Sequence, residues 1–137
     1  KCICCNKGCT DAIQNRRFLS CVLNPENGYE YKRVITKALD SKKVAVVGGG
    51  IAGLEAARVA TIKGHKVTVF EKTDKLYGQI NIASVPPRKD EMLRICSYYD
   101  EVRQEIVTAE AFVYAPQHKK RNKMRQIESI LRSVEIN

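Results

Sequence analysis

The sequence predicts an α/β fold in which two parallel strands are joined by one helix. Residues 44–47 form a short apolar run rich in β-branched side chains, which is typical of a strand buried on both faces. A glycine-rich stretch, residues 48–53, follows directly, and residues 67–70 form a second apolar run. The segment between the two runs has helical periodicity. Strand, helix and strand in this order predict a βαβ unit.

The connecting helix is predicted from small and apolar residues that recur at helical spacing. Gly64 follows the last of them and can end the helix, because glycine is the usual residue just beyond a helix C-terminus. The predicted apolar stripe consists of Ala52, Ala56, Ala57, Val59, Ala60 and Ile62.

The glycines between strand and helix have a spacing that suits phosphate binding. Gly48, Gly50 and Gly53 fit the pattern G-x-G-x-x-G: the first permits a tight turn, the second lets a pyrophosphate approach the backbone, and the third lets helix and strand pack closely. Glu71 ends the second strand and is placed to accept hydrogen bonds from a ribose. The context predicts a partial Rossmann-like dinucleotide-binding unit rather than a glycine-rich turn that binds nothing, and FAD or NAD suits Glu71 better than NADP.

Length and composition limit the other possibilities. The chain has 137 residues, 44% of them hydrophobic and 28% charged, which is an ordinary balance for one modest domain. No apolar stretch is long enough to span a membrane, and no secretory signal is present, so we expect a cytoplasmic protein with no membrane partner. The first residue is lysine, so we expect the chain to be part of something longer.

The net charge of +9 is spread along the chain. A dedicated nucleic-acid arm would concentrate it, so we do not expect nucleic acid as a partner. Phosphate-bearing cofactors or an acidic partner are compatible with it.

Four of the six cysteines lie within the first ten residues. Cys2, Cys5, Cys9 and Cys21 have the spacing C-x2-C-x3-C-x11-C, which suits an iron-sulfur cluster because four soft thiolates must converge on one small core. Zinc would use similar ligands, although a second C-x2-C or a histidine pair is missing, and disulfides rank third. Cys4 is predicted to be a small buried residue, and Cys96 to pack in the core.

Two motifs together resemble one family. Cys-Ile-x-Cys-Asn-x-x-Cys at residues 2–9, Cys-Val-Leu-Asn-Pro-Glu at 21–26 and Val-Val-Gly-Gly-Gly-Ile-Ala-Gly-Leu-Glu-Ala-Ala-Arg-Val-Ala at 46–60 occur in the order seen in the NADH:flavin oxidoreductase family. That family contains 2,4-dienoyl-CoA reductase, 2-enoate reductase and trimethylamine dehydrogenase. The resemblance runs from residue 1 to about residue 99.

The resemblance implies specific cofactors and roles. In such proteins an N-terminal barrel carries FMN and the substrate site, a four-cysteine loop holds a [4Fe-4S] cluster, and a dinucleotide domain follows. FAD takes a hydride from NAD(P)H and passes electrons singly through the cluster to FMN, which reduces an activated C=C bond. By resemblance Cys2, Cys5, Cys9 and Cys21 ligate the cluster, whereas Gly48, Gly50, Ala52, Gly53, Glu71, Gly78 and Gln79 belong to the site for FAD, or for ADP or NAD.

The chain departs from the family at Tyr77, which replaces the first glycine of a Gly-Gly-Gln element and would bring a phenol ring close to the cofactor. Paired prolines precede Asp90, which is predicted to cap a helix that packs through Ile95, Tyr99, Val102 and Ile106. Beyond residue 101 the resemblance ends, and a basic helix with an apolar stripe is predicted from Met124, Ile127, Leu131 and Val134.

The predicted organisation has three parts: a cluster loop and linker at residues 1–40, a Rossmann-like FAD or ADP portion at 41–100 and a divergent basic helical tail at 101–137. The function that follows is a fragment of an iron-sulfur flavoprotein oxidoreductase, with no turnover expected of the isolated chain. Two alternatives stay open at this point. One is a non-enzymatic zinc-binding module with a nucleic-acid-binding helix, and the other is a degenerate fragment that folds poorly.

Overall fold

The computed structural model describes residues 2–106 and 112–114, with the side chains of residues 2–102. The basic helix predicted near the C-terminus lies outside these residues. In chain order the helices and strands are α1 Thr10–Gln14, β1 Lys43–Val47, α2 Ile51–Ile62, β2 Lys66–Glu71, α3 Ile80–Ala83, a short 3-10 helix Asp90–Met92, α4 Leu93–Ile106 and β3 Phe112–Tyr114. Within the described residues no helix is both long enough and apolar enough to cross a bilayer.

The three strands form one parallel sheet in the order β1, β2, β3. Val44 is paired with Val67 and Val46 with Val69, so the two predicted strands are confirmed in register. β3 pairs with the far side of β2 and is a third strand that the sequence did not predict. Parallel strands cannot be joined by a hairpin, and α2 supplies the crossover between β1 and β2.

Helix α2 ends where its sequence predicts. Gly64 follows it with a φ of 91°, a left-handed conformation that glycine adopts without steric cost. The predicted apolar stripe is only partly right, because Leu54 and Ala57 are the buried residues of this helix whereas Ala52 and Ala56 are exposed. Alanine is a strong helix former on any face, so its periodicity is a weak guide to burial.

Helix α4 packs as predicted through Ile95 and Tyr99, which are 4% and 6% exposed. The predicted cap is wrong in detail, since Asp90 is the first residue of the 3-10 helix and that helix has no side-chain cap. The paired prolines end the preceding segment, and the 3-10 turn replaces the cap at the start of the longer helix.

One hydrophobic core joins the N-terminal segment to the α/β unit. Ile3 and Leu23, from either side of α1, are buried against residues of α2 and α4. The cysteine segment, residues 2–21, is therefore packed against the α/β unit. The buried cluster consists of Ile3, Leu23, Leu54, Leu76, Ile95 and Tyr99.

A polar network lies beside this core. Arg58 of α2 donates to both carboxylate oxygens of Glu55, at 3.0 and 2.8 Å, and to Glu26 of the N-terminal segment at 3.0 Å. The Tyr99 hydroxyl of α4 donates to Glu55 at 3.1 Å. The pKa of Arg58 is raised, chiefly by its hydrogen bonds to Glu55. The Arg58 guanidinium, whose planar fork suits two carboxylates at once, links α2 to the N-terminal segment, and Glu55 links both to α4 through Tyr99.

The Tyr99 hydroxyl makes the stability of the fold sensitive to alkali. Burial raises its pKa well above the ordinary 10.0, and the negative charge of Glu55 adds to the shift. Below pH 10 both folded and unfolded chains keep the proton; above it the unfolded chain loses the proton first, so stability falls as the pH rises. We expect the urea midpoint to decline above pH 10, and Tyr99→Phe to reduce the decline.

The matched control is Tyr31→Phe, because Tyr31 is 75% exposed. An alkaline decline of equal steepness in the wild type and in Tyr99→Phe would show that another group is responsible.

Candidate functional site

The glycine-rich loop connects the end of β1 to the start of α2. Gly48 has a φ of 107°, which explains the need for glycine at the turn, and its N–H donates to the carbonyl of Phe70 at 2.7 Å. Gly50 precedes the first residue of α2, and no side chain caps the helix there. The first-turn N–H groups of α2 therefore border the loop without a side-chain acceptor from the N-cap.

Two glycines of the loop are required by packing, and a third faces open space. A Cβ on Gly53 would overlap the carbonyl oxygen of Gly48, and a Cβ on Gly49 would lie 2.5 Å from Leu76 Cδ2. A Cβ on Gly50 would meet no atom within 4 Å. The loop is thus tightly supported from behind and open in front of Gly50, which is the shape that a phosphate cradle needs.

Glu71 is tied directly to the loop. Its Oε2 accepts from the N–H of Gly49 at 2.7 Å, and its Oε1 accepts from the N–H and hydroxyl of Thr73 at 3.0 and 3.1 Å. Burial raises the pKa of Glu71, but these donors outweigh burial and leave the pKa below its ordinary value. The carboxylate is therefore ionised and fixed at the edge of the cradle.

The remaining residues implied by the resemblance also lie near the loop or at a helix start. Gly78 has a φ of 51°, and a Cβ on it would lie 3.5 Å from Gly50 Cα. Gln79 precedes α3 and is exposed. Ala52 is the second residue of α2 and is also exposed.

Tyr77 does not turn toward the loop as its position suggested. Its hydroxyl donates to Asp100 of α4, and its ring packs against the hydrophobic core. The ring is anchored on the side of α4, whereas the expected crowding of a cofactor by the phenol stays a prediction. No pattern in the sequence signals the pairing, because the partners are 23 positions apart on different elements.

The cysteine segment is folded around a backbone contact between residues 8 and 20. The N–H of Ser20 donates to the carbonyl of Gly8 at 3.0 Å, and a Cβ on Gly8 would overlap the Ser20 backbone. Cys9 directly follows Gly8, and Cys21 directly follows Ser20, so this contact brings the backbones of the two cysteines near each other. Short helix α1, which the sequence did not predict, spans the turn between them.

The thiols of the segment are free and exposed at Cys2, Cys5, Cys9 and Cys21. Cys2 Sγ accepts from the N–H of Cys4 at 3.2 Å. Among the residues that the structure describes, however, no three or more His, Cys, Asp or Glu side chains are placed to hold a metal ion. The donor chemistry therefore suits a cluster, whereas the thiols as placed do not converge on one centre.

Cys4 is exposed, so the prediction that it is buried is wrong. Its φ of 53° lies in the left-handed region, and its Sγ lies 3.5 Å from Nη1 of Arg94, which also donates to the carbonyl of Cys2 at 2.9 Å. Helix α4 thus contacts the cysteine segment through Arg94. Cys96 is half-buried, and burial raises its pKa.

Two family models match separate stretches of the chain. Residues 43–82 match the family described as pyridine nucleotide-disulphide oxidoreductase, and residues 96–133 match a domain of unknown function, DUF4837. A bilirubin reductase of Mediterraneibacter gnavus (strain CC55_001C) is 65% identical over 105 residues, which cover 77% of this chain and 16% of that protein. A cinnamate reductase of Clostridium sporogenes is 43% identical over the same coverage.

Solved structures agree with these relatives. A 2-naphthoyl-CoA reductase superimposes with a TM-score of 0.75 at 31% identity, over 81% of this chain and 17% of that one. Histamine dehydrogenase from Rhizobium sp. 4-9 gives 0.71 at 29% identity, over 82% and 18%. The chain belongs to the NADH:flavin oxidoreductase family. This confirms the resemblance, while the chain spans only 16% of the length of the two curated relatives.

Proposed function

We propose that this chain forms the adenine-dinucleotide half of a FAD site, next to a [4Fe-4S] cluster, in an NAD(P)H-dependent flavoprotein oxidoreductase of the enoate or dienoyl-CoA reductase type. The observation that carries the proposal is the glycine loop, closed behind by Gly53 and Leu76, open at Gly50 and tied to the Glu71 carboxylate. The reductases among its relatives support the oxidoreductase class.

The loop and α2 supply what a pyrophosphate needs. Backbone N–H groups at the start of α2 meet the anion, and the helix dipole adds attraction without a basic side chain. Gly50 leaves the space through which the phosphates approach. The proposed contacts come from Gly48, Gly50, Ala52 and Gly53, with Gly78 and Gln79 on the adjoining segment.

Glu71 selects the nucleotide. A ribose hydroxyl donates to a carboxylate, and a 2′-phosphate is repelled by it, so ADP, FAD and NAD fit where NADP does not. The lowered pKa keeps the charge on Glu71 at neutral pH. FAD is the dinucleotide proposed, and free ADP and NAD share the same half-site.

The cluster is proposed on Cys2, Cys5, Cys9 and Cys21, whose free and exposed thiols would supply the four soft ligands that it needs. The contact between Gly8 and Ser20 supports this by holding the backbone next to Cys9 and Cys21. Such a cluster would supply single-electron transfer between the FAD and a second flavin, proposed to be FMN in a barrel domain of a longer parent protein. The parent's substrate contacts lie in that barrel, so the isolated chain is expected to show no turnover.

The test is titration of the full 137-residue chain with ADP, FAD and 2′,5′-ADP by calorimetry. We expect ADP and FAD to bind and 2′,5′-ADP to bind at least about tenfold more weakly than ADP, because its extra phosphate meets Glu71. Glu71→Gln is expected to weaken ADP binding and to reduce the difference in affinity between ADP and 2′,5′-ADP.

The matched control is Glu30→Gln, which removes a carboxylate from the exposed turn after Gly28 and should leave both affinities unchanged. Absence of ADP and FAD binding by a folded chain would refute the proposed dinucleotide site.

A further inference from the structure

The segment 76–78 lies directly on the glycine loop. The N–H of Tyr77 donates to the carbonyl of Gly49 at 2.8 Å, and the buried Leu76 packs where a Gly49 side chain would be. Gly78 lies against Gly50 Cα. The loop is therefore held from one side by three successive residues that follow β2.

The hydrogen bond from Tyr77 sets the direction of one peptide group. In a planar trans peptide the C=O of residue 49 and the N–H of residue 50 point to opposite sides, and no peptide bond among the described residues is cis. With the Gly49 carbonyl turned toward Tyr77, the Gly50 N–H is turned away from the 76–78 segment. Gly50 itself borders open space. The orientation of this N–H therefore depends on where Tyr77 is held.

The backbone of Tyr77 is strained, and a specific side-chain contact holds it in this conformation. Its φ of 74° lies in the left-handed region, which is unfavourable for a bulky residue by about 1 kcal/mol or more. Its hydroxyl donates to Asp100 of α4, and its ring packs on the buried core. The side-chain contacts therefore hold Tyr77 in a backbone conformation that is strained for tyrosine and unstrained for glycine.

We propose that the Tyr77–Asp100 pair positions the Gly49–Gly50 peptide so that the Gly50 N–H faces the pyrophosphate of the bound dinucleotide. The inference rests on the proposed function, because it assigns a positioning role at the same site. Tyr77 acts through its backbone bond to Gly49 and so through the Gly49–Gly50 peptide. The side chain of Tyr77 anchors a residue whose positive φ glycine would adopt without strain.

The test compares ADP affinity and thermal stability in variants of the full chain. Tyr77→Phe and Asp100→Ala each remove the hydrogen bond and are expected to weaken ADP binding by about tenfold. The double variant should lose no more than either single one, since the two residues act as a pair. Asp100→Asn keeps an oxygen acceptor and should restore most of the affinity.

Tyr77→Gly separates positioning from stability. Glycine accepts the positive φ without strain, but it loses the ring that packs on the core and the hydrogen bond to Asp100, so the thermal midpoint should fall; the positioning role is read from the ADP affinity of the chain that is still folded, which should fall by about tenfold. A purely structural role for Tyr77 would move the midpoint and leave the affinity of the folded chain unchanged. If Tyr77→Phe does not fold, the comparison of Asp100→Ala with Asp100→Asn decides by the same criterion.

The outcomes distinguish this inference from the function on which it rests. Failure of the wild-type chain to bind ADP overturns both. Binding by the wild type with unchanged affinity in Tyr77→Phe, Tyr77→Gly and Asp100→Ala overturns the positioning role alone.

Discussion

Gly53→Ala is expected to destabilise the fold by about 3 kcal/mol, the upper end of the usual cost of overpacking. The added Cβ would overlap the carbonyl oxygen of Gly48, a backbone atom that cannot rotate out of the way. In an exposed helix the same substitution would stabilise by about 1 kcal/mol, so the sign of the effect is diagnostic. Urea unfolding followed by circular dichroism measures the change. We expect a lower midpoint or no cooperative transition.

Gly50→Ala is the matched control from the same loop. Gly50 has a φ of −73° and open space around its Cβ position, so the free energy of unfolding should change by no more than about 0.5 kcal/mol. The methyl group would occupy the space proposed for phosphate, and ADP binding should weaken. Equal destabilisation by the two substitutions would contradict the close approach of α2 to the loop.

Cys9→Ser is expected to prevent assembly of the proposed cluster. After anaerobic reconstitution the wild-type chain should be brown and contain about four iron and four sulfide per chain. Serine offers a harder and less acidic ligand than a thiolate, so the variant should lose most of the iron, sulfide and visible absorbance. Measured iron, sulfide and zinc contents provide the result, and ADP titration of the same samples reports whether the fold is intact.

Cys96→Ser is the control for this loss. Cys96 is half-buried in α4, and it is not one of the four proposed ligands. The Cys96→Ser variant should bind as much iron as the wild-type chain. A colourless wild-type protein that retains zinc would instead support a zinc site, and equal loading of wild type and Cys9→Ser would remove Cys9 from the ligand set.

The elements closest to the candidate site are those that local sequence could predict. β1, α2 and β2 follow from apolar runs, helical periodicity and glycines, which act over a few residues. β3 was not predicted, because a three-residue strand has almost no periodicity of its own and forms by pairing with β2. Helices α1 and α3 were missed for a similar reason, since each spans only a single turn or slightly more.

Side-chain direction was the part of the site that sequence could not supply. Motif spacing placed Glu71 beside the loop, and the structure adds that its carboxylate bonds to Gly49. The resemblance placed Tyr77 there as well, but its ring lies against α4. Cys4 was expected inside and is exposed. Contacts between residues distant in sequence decide such cases, and a single sequence does not record them.

The hydrogen bond from Gly48 to Phe70 joins the carboxyl ends of β1 and β2, so the shape of the glycine loop depends on a strand that lies beyond helix α2 in the sequence. The loop geometry appears only when the distant partner strand has docked, which makes nucleotide recognition and long-range chain closure one cooperative event. A bound dinucleotide would consequently raise the free energy of unfolding of the whole unit, because it binds only the chain in which β1 and β2 are paired.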